Sequence, residues 1–118
     1  MVITGRSADV APRIYHDGET VRNVEKRVLV GPSESAPNFS LRKFTVGPGG
    51  CSPRHTHPWE HEVYILAGQG EVRHADGATA VSTGDFAYVP SNDEHQFVNT
   101  GDGPFEFLCI VPLEGEDG

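Results

Sequence analysis

The sequence predicts an all-β fold, a closed or sandwiched antiparallel architecture, on three observations. Fourteen glycines and nine prolines break up its 118 residues, and the stretches between them are short runs of β-branched and aromatic residues. These runs recur at regular spacing, as in β-sandwiches and jelly rolls. No segment keeps a helical period, and the one helical turn expected is a short one near the N-terminus.

The first expected strand is 26–30, Lys-Arg-Val-Leu-Val. The second, 38–46, slips in its alternation: Phe39 and Leu41 share one phase, Phe44 and Val46 the other. Either a bulge lies near Arg42 and Lys43, or each half packs against something different. Strand 61–66 follows Pro58, which biases the chain to turn. Strands 70–74 and 79–81 flank the tight-turn signal Ala75-Asp-Gly77 and form a hairpin. Strand 86–89 lies between Gly84-Asp85 and Pro90, and 96–99 comes next. In 105–111, Phe105, Phe107, Cys109 and Val111 share one face, which reads as core.

The length suits one domain over 1–118, with no internal repeat or linker. Nine basic and 17 acidic residues give a formal charge of −8, which argues against nucleic-acid or anionic-membrane partners. No apolar run approaches the roughly 20 residues that span a bilayer, and Met1 to Tyr15 has no secretory pattern. A cytoplasmic location is therefore expected. Cys51 and Cys109 read as free thiols in a reducing compartment, and Glu114 to Asp117 as a frayed, solvated tail.

Chemistry concentrates between Gly49 and Asn99. Five of the six histidines lie there: His55, His57 and His61 close together, His95 remote, and His74 in a turn between them. Neutral imidazole is the commonest protein ligand for borderline divalent metals. On extended chain His55 and His57 share a face, the turn at Pro58 returns His61 toward them, and another strand must deliver His95. His16 and His74 sit in turn-like surroundings and are assigned no role. There is no Ser-His-Asp set, phosphate-binding glycine loop or interpretable carboxylate pair.

The run His55-Thr-His-Pro-Trp-Glu-His-Glu62 leading to Gly68, and Gly84-Asp-Phe-Ala-Tyr-Val-Pro90 followed by His95 and Asn99, resemble the two motifs of the cupin superfamily. The likeness extends from about residue 22 to the end and implies a jelly-roll barrel, or double-stranded β-helix, with a divalent metal. Cupins often place a glutamate five positions after the second histidine, where Glu62 stands; others use the histidine at four, where His61 stands. Neighbours on one strand face opposite ways, so only one can point inward. The four-histidine set is favoured, with Glu62 as the alternative ligand. Asn92 stands where the family often has Gly, and Asn tolerates left-handed backbone.

The resemblance favours manganese or iron, one ion per chain, while copper, nickel, cobalt and zinc fit the donor chemistry. Trp59, Ile65, Phe97, Phe107 and Cys109 are candidate walls of a substrate pocket, and Glu60, Glu62 and Gln96 candidate partners of the imidazole N–H groups. The expected ligand is a small, partly hydrophobic molecule. The expected reaction is a metal-dependent oxygenation or dioxygenation, with a non-redox isomerase or a non-catalytic ligand-binding cupin as the alternative. In similar cupins N-terminal strands pair across a homodimer, which is expected here for residues up to about 48.

Overall fold

Nine antiparallel strands build the computed structural model, which describes residues 1–116: β1 (Arg13–Tyr15), β2 (Arg22–Val30), β3 (Phe39–Cys51), β4 (His61–Ala67), β5 (Gln69–His74), β6 (Gly77–Ser82), β7 (Phe86–Val89), β8 (His95–Asn99) and β9 (Phe105–Pro112). The order across the sheet is β6-β5-β8-β3-β9-β4-β7, with β2 also on β3 and β1 on β2. The strands close into a nearly complete jelly-roll barrel. Strand β3 is long enough to serve both sides. Phe39 to Val46 pair with β9, while Cys51 at its far end pairs with Val98 of β8. The expected N-terminal helical turn is a 3-10 turn at Ser7–Asp9, and two more occur at Pro32–Glu34 and Leu113–Gly115.

The slipped alternation of β3 resolves without a bulge between Phe39 and Val46. Its register with β9 is unbroken from Phe39 to Val46; Ser40, Arg42 and Val46 are buried, whereas Phe39 is exposed. The inward phase is thus a mixture of polar and apolar residues, and the slip reflects two different neighbourhoods. The irregularities fall on the pairing with β2, between Arg22 and Val24 and between Val28 and Val30. Strand β1 was not expected from the sequence. It has only three residues, and Ile14 is exposed, so it carries no apolar pattern and owes its form to the ladder with β2.

Strand β4 alternates strictly, with His61, Val63 and Ile65 buried and Glu62, Tyr64 and Leu66 exposed. Phe105, Phe107, Cys109 and Val111 of β9 are all buried, as their alternation predicts. Phe107 centres the core, stacking on Phe44 at 5.3 Å and tilting against Phe97 at 4.8 Å between ring centroids. Gly70 of β5 is required here, because a Cβ would stand 2.5 Å from the Phe105 ring.

The expectation of a frayed C-terminal tail fails as far as Glu116. Gly115 and Glu116 are buried: a Cβ on Gly115 would lie 2.6 Å from the Trp59 indole nitrogen, and the Glu116 carboxylate faces Lys26 and Arg42. An acidic run reads as solvated only while no buried cation awaits it, and two do. Asp117 lies outside the described residues. Among the described residues, no helix is long and apolar enough to cross a membrane.

Candidate metal centre

The two halves of the motif are joined through backbone before any side chain meets another. His55 is not in a regular strand; it forms an isolated bridge to His95, each backbone N–H donating to the other's carbonyl at 3.1 and 3.0 Å. The Asn92 N–H donates to the His57 carbonyl at 2.6 Å, across a turn in which Asn92 takes φ 66°. That is the left-handed backbone Asn was expected to tolerate.

These constraints bring the imidazoles together. The Nε2 atoms of His55 and His57 are 3.0 Å apart, and ligand atoms of His55, His57 and His95 all lie within 4.8 Å of one another. The His61 ring centroid is 5.2 Å from that of His57 and 5.1 Å from that of His95. Two nitrogens each roughly 2.1 Å from one ion, at about a right angle, would be about 3 Å apart, which is the His55–His57 spacing. His61 offers a second test of fit. Its Nδ1 lies 3.2 Å from Cys109 Sγ, while its buried Nε2 has no hydrogen-bond partner among the described residues. A buried polar atom without a partner is costly, and a metal would remove that cost. Glu62 is exposed on the other phase of β4, so the structure places it outside the cluster.

The surroundings keep the rings neutral. Burial lowers the pKa of His61 to about 3, helped by the positive charges His95 and Arg42 would present. Burial also lowers His55 to about 4, with His57 and His95 adding to it, and it lowers His57 and His95 too. Neutral imidazole is the form that binds metal.

The residues expected around the rings divide. Gln96 donates to the Ser52 carbonyl at 3.0 Å, while Glu60 and Glu62 interact with each other and with Tyr88. The partners that orient the rings are ones the sequence did not suggest: the Asp93 carbonyl, 2.9 Å from His95 Nδ1, and Cys109 Sγ on His61. A backbone carbonyl leaves no residue signal, and Cys109 reads as plain core by its alternation.

The imidazoles face a cavity of about 360 Å³ lined also by Phe97, Phe107 and Cys109. Two of the expected wall residues are placed elsewhere. Ile65 is wholly buried in the core, and Trp59 stacks on His57 at 4.8 Å and packs against the core and beside Gly115. The walls the sequence reading missed come from the N-terminal half: Tyr15, Val21, Lys26, Arg42 and Phe44. The inward phase of Lys26 and Arg42, shared with Val24 and Val46, was the available signal.

Residues 42–111 match the family model described as Cupin domain. The chain belongs to the cupin superfamily. It is 37% identical over 114 residues to the oxalate-binding protein of Thermotoga maritima, covering 92% of both chains. It is also 37% identical over 93 residues to 1-methylthio-D-xylulose 5-phosphate methylsulfurylase of Rhodospirillum rubrum, covering 79% of this chain but only 58% of that enzyme. Among solved structures, the polyketide cyclase RemF of Streptomyces resistomycificus superposes with a TM-score of 0.87 at 29% identity, over 96% of this chain and 80% of that one. Relatives with such different names share the barrel more than a reaction. What this cupin offers chemically is a cluster of neutral nitrogen donors opening on a largely apolar cavity.

Proposed function

We propose that His55, His57, His61 and His95 hold one divalent transition metal per chain, manganese or iron foremost, and that the centre acts on a small, partly hydrophobic organic molecule. The observation that carries this reading is the unpartnered, buried Nε2 of His61 beside three converging imidazoles at the wall of the cavity. Four uncharged ligands leave the ion its full charge, so the group would supply Lewis acidity and, with a redox-active metal, oxygenase or dioxygenase chemistry.

The chain's own part is to fix and shield. The Asp93 carbonyl and Cys109 Sγ engage Nδ1 of His95 and His61, which leaves Nε2 of each as the free donor. Trp59 stacked on His57 holds that ring in plane. Phe44, Phe97 and Phe107 make the cavity wall apolar, which limits both water and ligand size.

A non-redox role, as isomerase or ligand-binding cupin, is the second reading. It is supported by the relatives named a methylsulfurylase, a cyclase and an oxalate-binding protein, none of them an oxygenase by name. Metal analysis of protein purified from its native host, followed by substrate depletion with and without oxygen, tests the proposal. About one manganese or iron per chain with oxygen-dependent turnover supports the oxygenase. Turnover without oxygen selects the second reading, and absence of stoichiometric transition metal overturns the centre. The proposal extends to a cytoplasmic homodimer: both cysteines are free, and β1 has an unpaired edge among the described residues. Sedimentation equilibrium reads the dimer.

A further inference from the structure

Lys26 and Arg42 are 3% and 1% exposed, yet both line the cavity that the imidazoles face. Buried cations persist only when paired, and among the described residues their ion-pair partner is Glu116. Lys26 Nζ lies 2.8 Å from the Glu116 carbonyl and 3.4 Å from its carboxylate. Arg42 Nη1 lies 3.1 Å from the same carbonyl and 3.5 Å from the carboxylate. Arg42 Nε and Nη2 reach the Cys109 carbonyl and Sγ at 3.3 and 3.4 Å. Both carboxylate contacts are long for charge-assisted hydrogen bonds, which run at about 2.7–2.9 Å. Among the described residues, two positive charges therefore share one carboxylate held at the edge of its range. The other polar side chains that the described residues bring to the cavity wall are imidazoles, the Tyr15 and Ser52 hydroxyls and the Cys109 thiol, none of them a carboxylate. Apolar surface adjoins the cations directly, with Arg42 over the Phe44 ring at 5.2 Å and Lys26 over the Tyr15 ring at 5.8 Å.

We propose that Lys26 and Arg42 form an anion subsite that takes the carboxylate of a small aromatic or otherwise apolar ligand lying in the cavity. The excess positive charge supplies the attraction, Phe44 and Phe107 the apolar contact, and Glu116 acts as a tethered carboxylate that weakens binding by sharing the same cations. This rests on the cavity being the ligand site, as proposed above, and does not depend on the metal.

Calorimetry with benzoate and its neutral isostere benzamide tests it, on full-length protein treated with chelator so that no metal–carboxylate bond contributes. Wild type should bind benzoate at least about tenfold more tightly than benzamide. Glu116→Gln, which keeps the side chain's size and removes its charge, should widen that ratio by about tenfold more, and Lys26→Met should narrow it. Thermal melts report folding; should Lys26→Met fail to fold, wild type and Glu116→Gln decide. Equal binding of the two probes, or none of benzoate, in both proteins overturns the subsite. Metal stoichiometry on untreated samples separates the two proposals. A full metal complement without benzoate preference overturns the subsite alone, and a preference without metal overturns the metal centre alone.

Discussion

The cavity wall has two polar regions that meet burial in opposite ways. The imidazoles escape its cost by staying neutral, as the fall of His55 to about 4 and His61 to about 3 shows. Arg42 has no such route, because a guanidinium keeps its proton throughout the accessible pH range. The second region therefore needs a counter-charge, and the chain brings one from the far end, Glu116, 74 residues beyond Arg42. Cys109 touches both regions, with Sγ 3.2 Å from His61 Nδ1 and 3.4 Å from Arg42 Nη2, and its own thiol is pushed up by burial against the opposing pull of Arg42. A neutral cluster can be held within one local motif, whereas a charged cluster has to be balanced through tertiary contact.

The contrast breaks most sharply in the metal. His95→Ala should lose stoichiometric transition metal while circular dichroism stays that of a β-fold, because the strand ladders and the apolar core, not the ion, hold the barrel. Retained stoichiometric metal would remove His95 from the centre. The charged region should answer in stability instead. Glu116→Gln leaves Lys26 and Arg42 buried with that carboxylate gone and should cost about 3–5 kcal/mol in denaturant unfolding; a loss below about 1 kcal/mol would show that the two cations do not depend on that carboxylate.

Acid separates the regions further in metal-free protein. The histidine pKa values are depressed on folding, so the unfolded chain takes up protons first. Stability is full above about 6.5, the unfolded value, and falls with pH toward about 4 for His55 and about 3 for His61. Replacing His61 with Ala should flatten this slope in pH-dependent melts, and an unchanged slope would mean that His61 already carries a proton in the fold. The smallest effect belongs to the outer face. Glu62→Gln should leave metal content unchanged and stability within about 0.5 kcal/mol, as for an ordinary surface change. Loss of metal there would restore Glu62 as a ligand.

Much of the fold was legible because period two survives wherever one face is apolar. Strand β9 and the β5–β6 hairpin over Ala75-Asp-Gly77 follow their pattern and turn chemistry. The pattern hides structure where the inward face is polar. In β3, Ser40 and Arg42 point inward while Phe39 is exposed, so alternation of hydrophobicity appeared to slip where the backbone did not. The candidate centre divides the same way. His55, His57 and His61 announce themselves by spacing within one motif, whereas the partners of their rings are a backbone carbonyl and a thiol with no such mark.

By itself the sequence determined the β class, the family and the concentration of imidazoles, since each depends on local order: side-chain period, turn residues and donors a few positions apart. Only the tertiary structure decided that Glu62 faces outward, that Ile65 and Trp59 leave the cavity wall to Lys26, Arg42 and Phe44, and that the acidic end of the chain folds inward as far as Glu116. Burial and charge balance are properties of what surrounds a residue in space, and residues 26, 42 and 116 become neighbours only when the barrel closes.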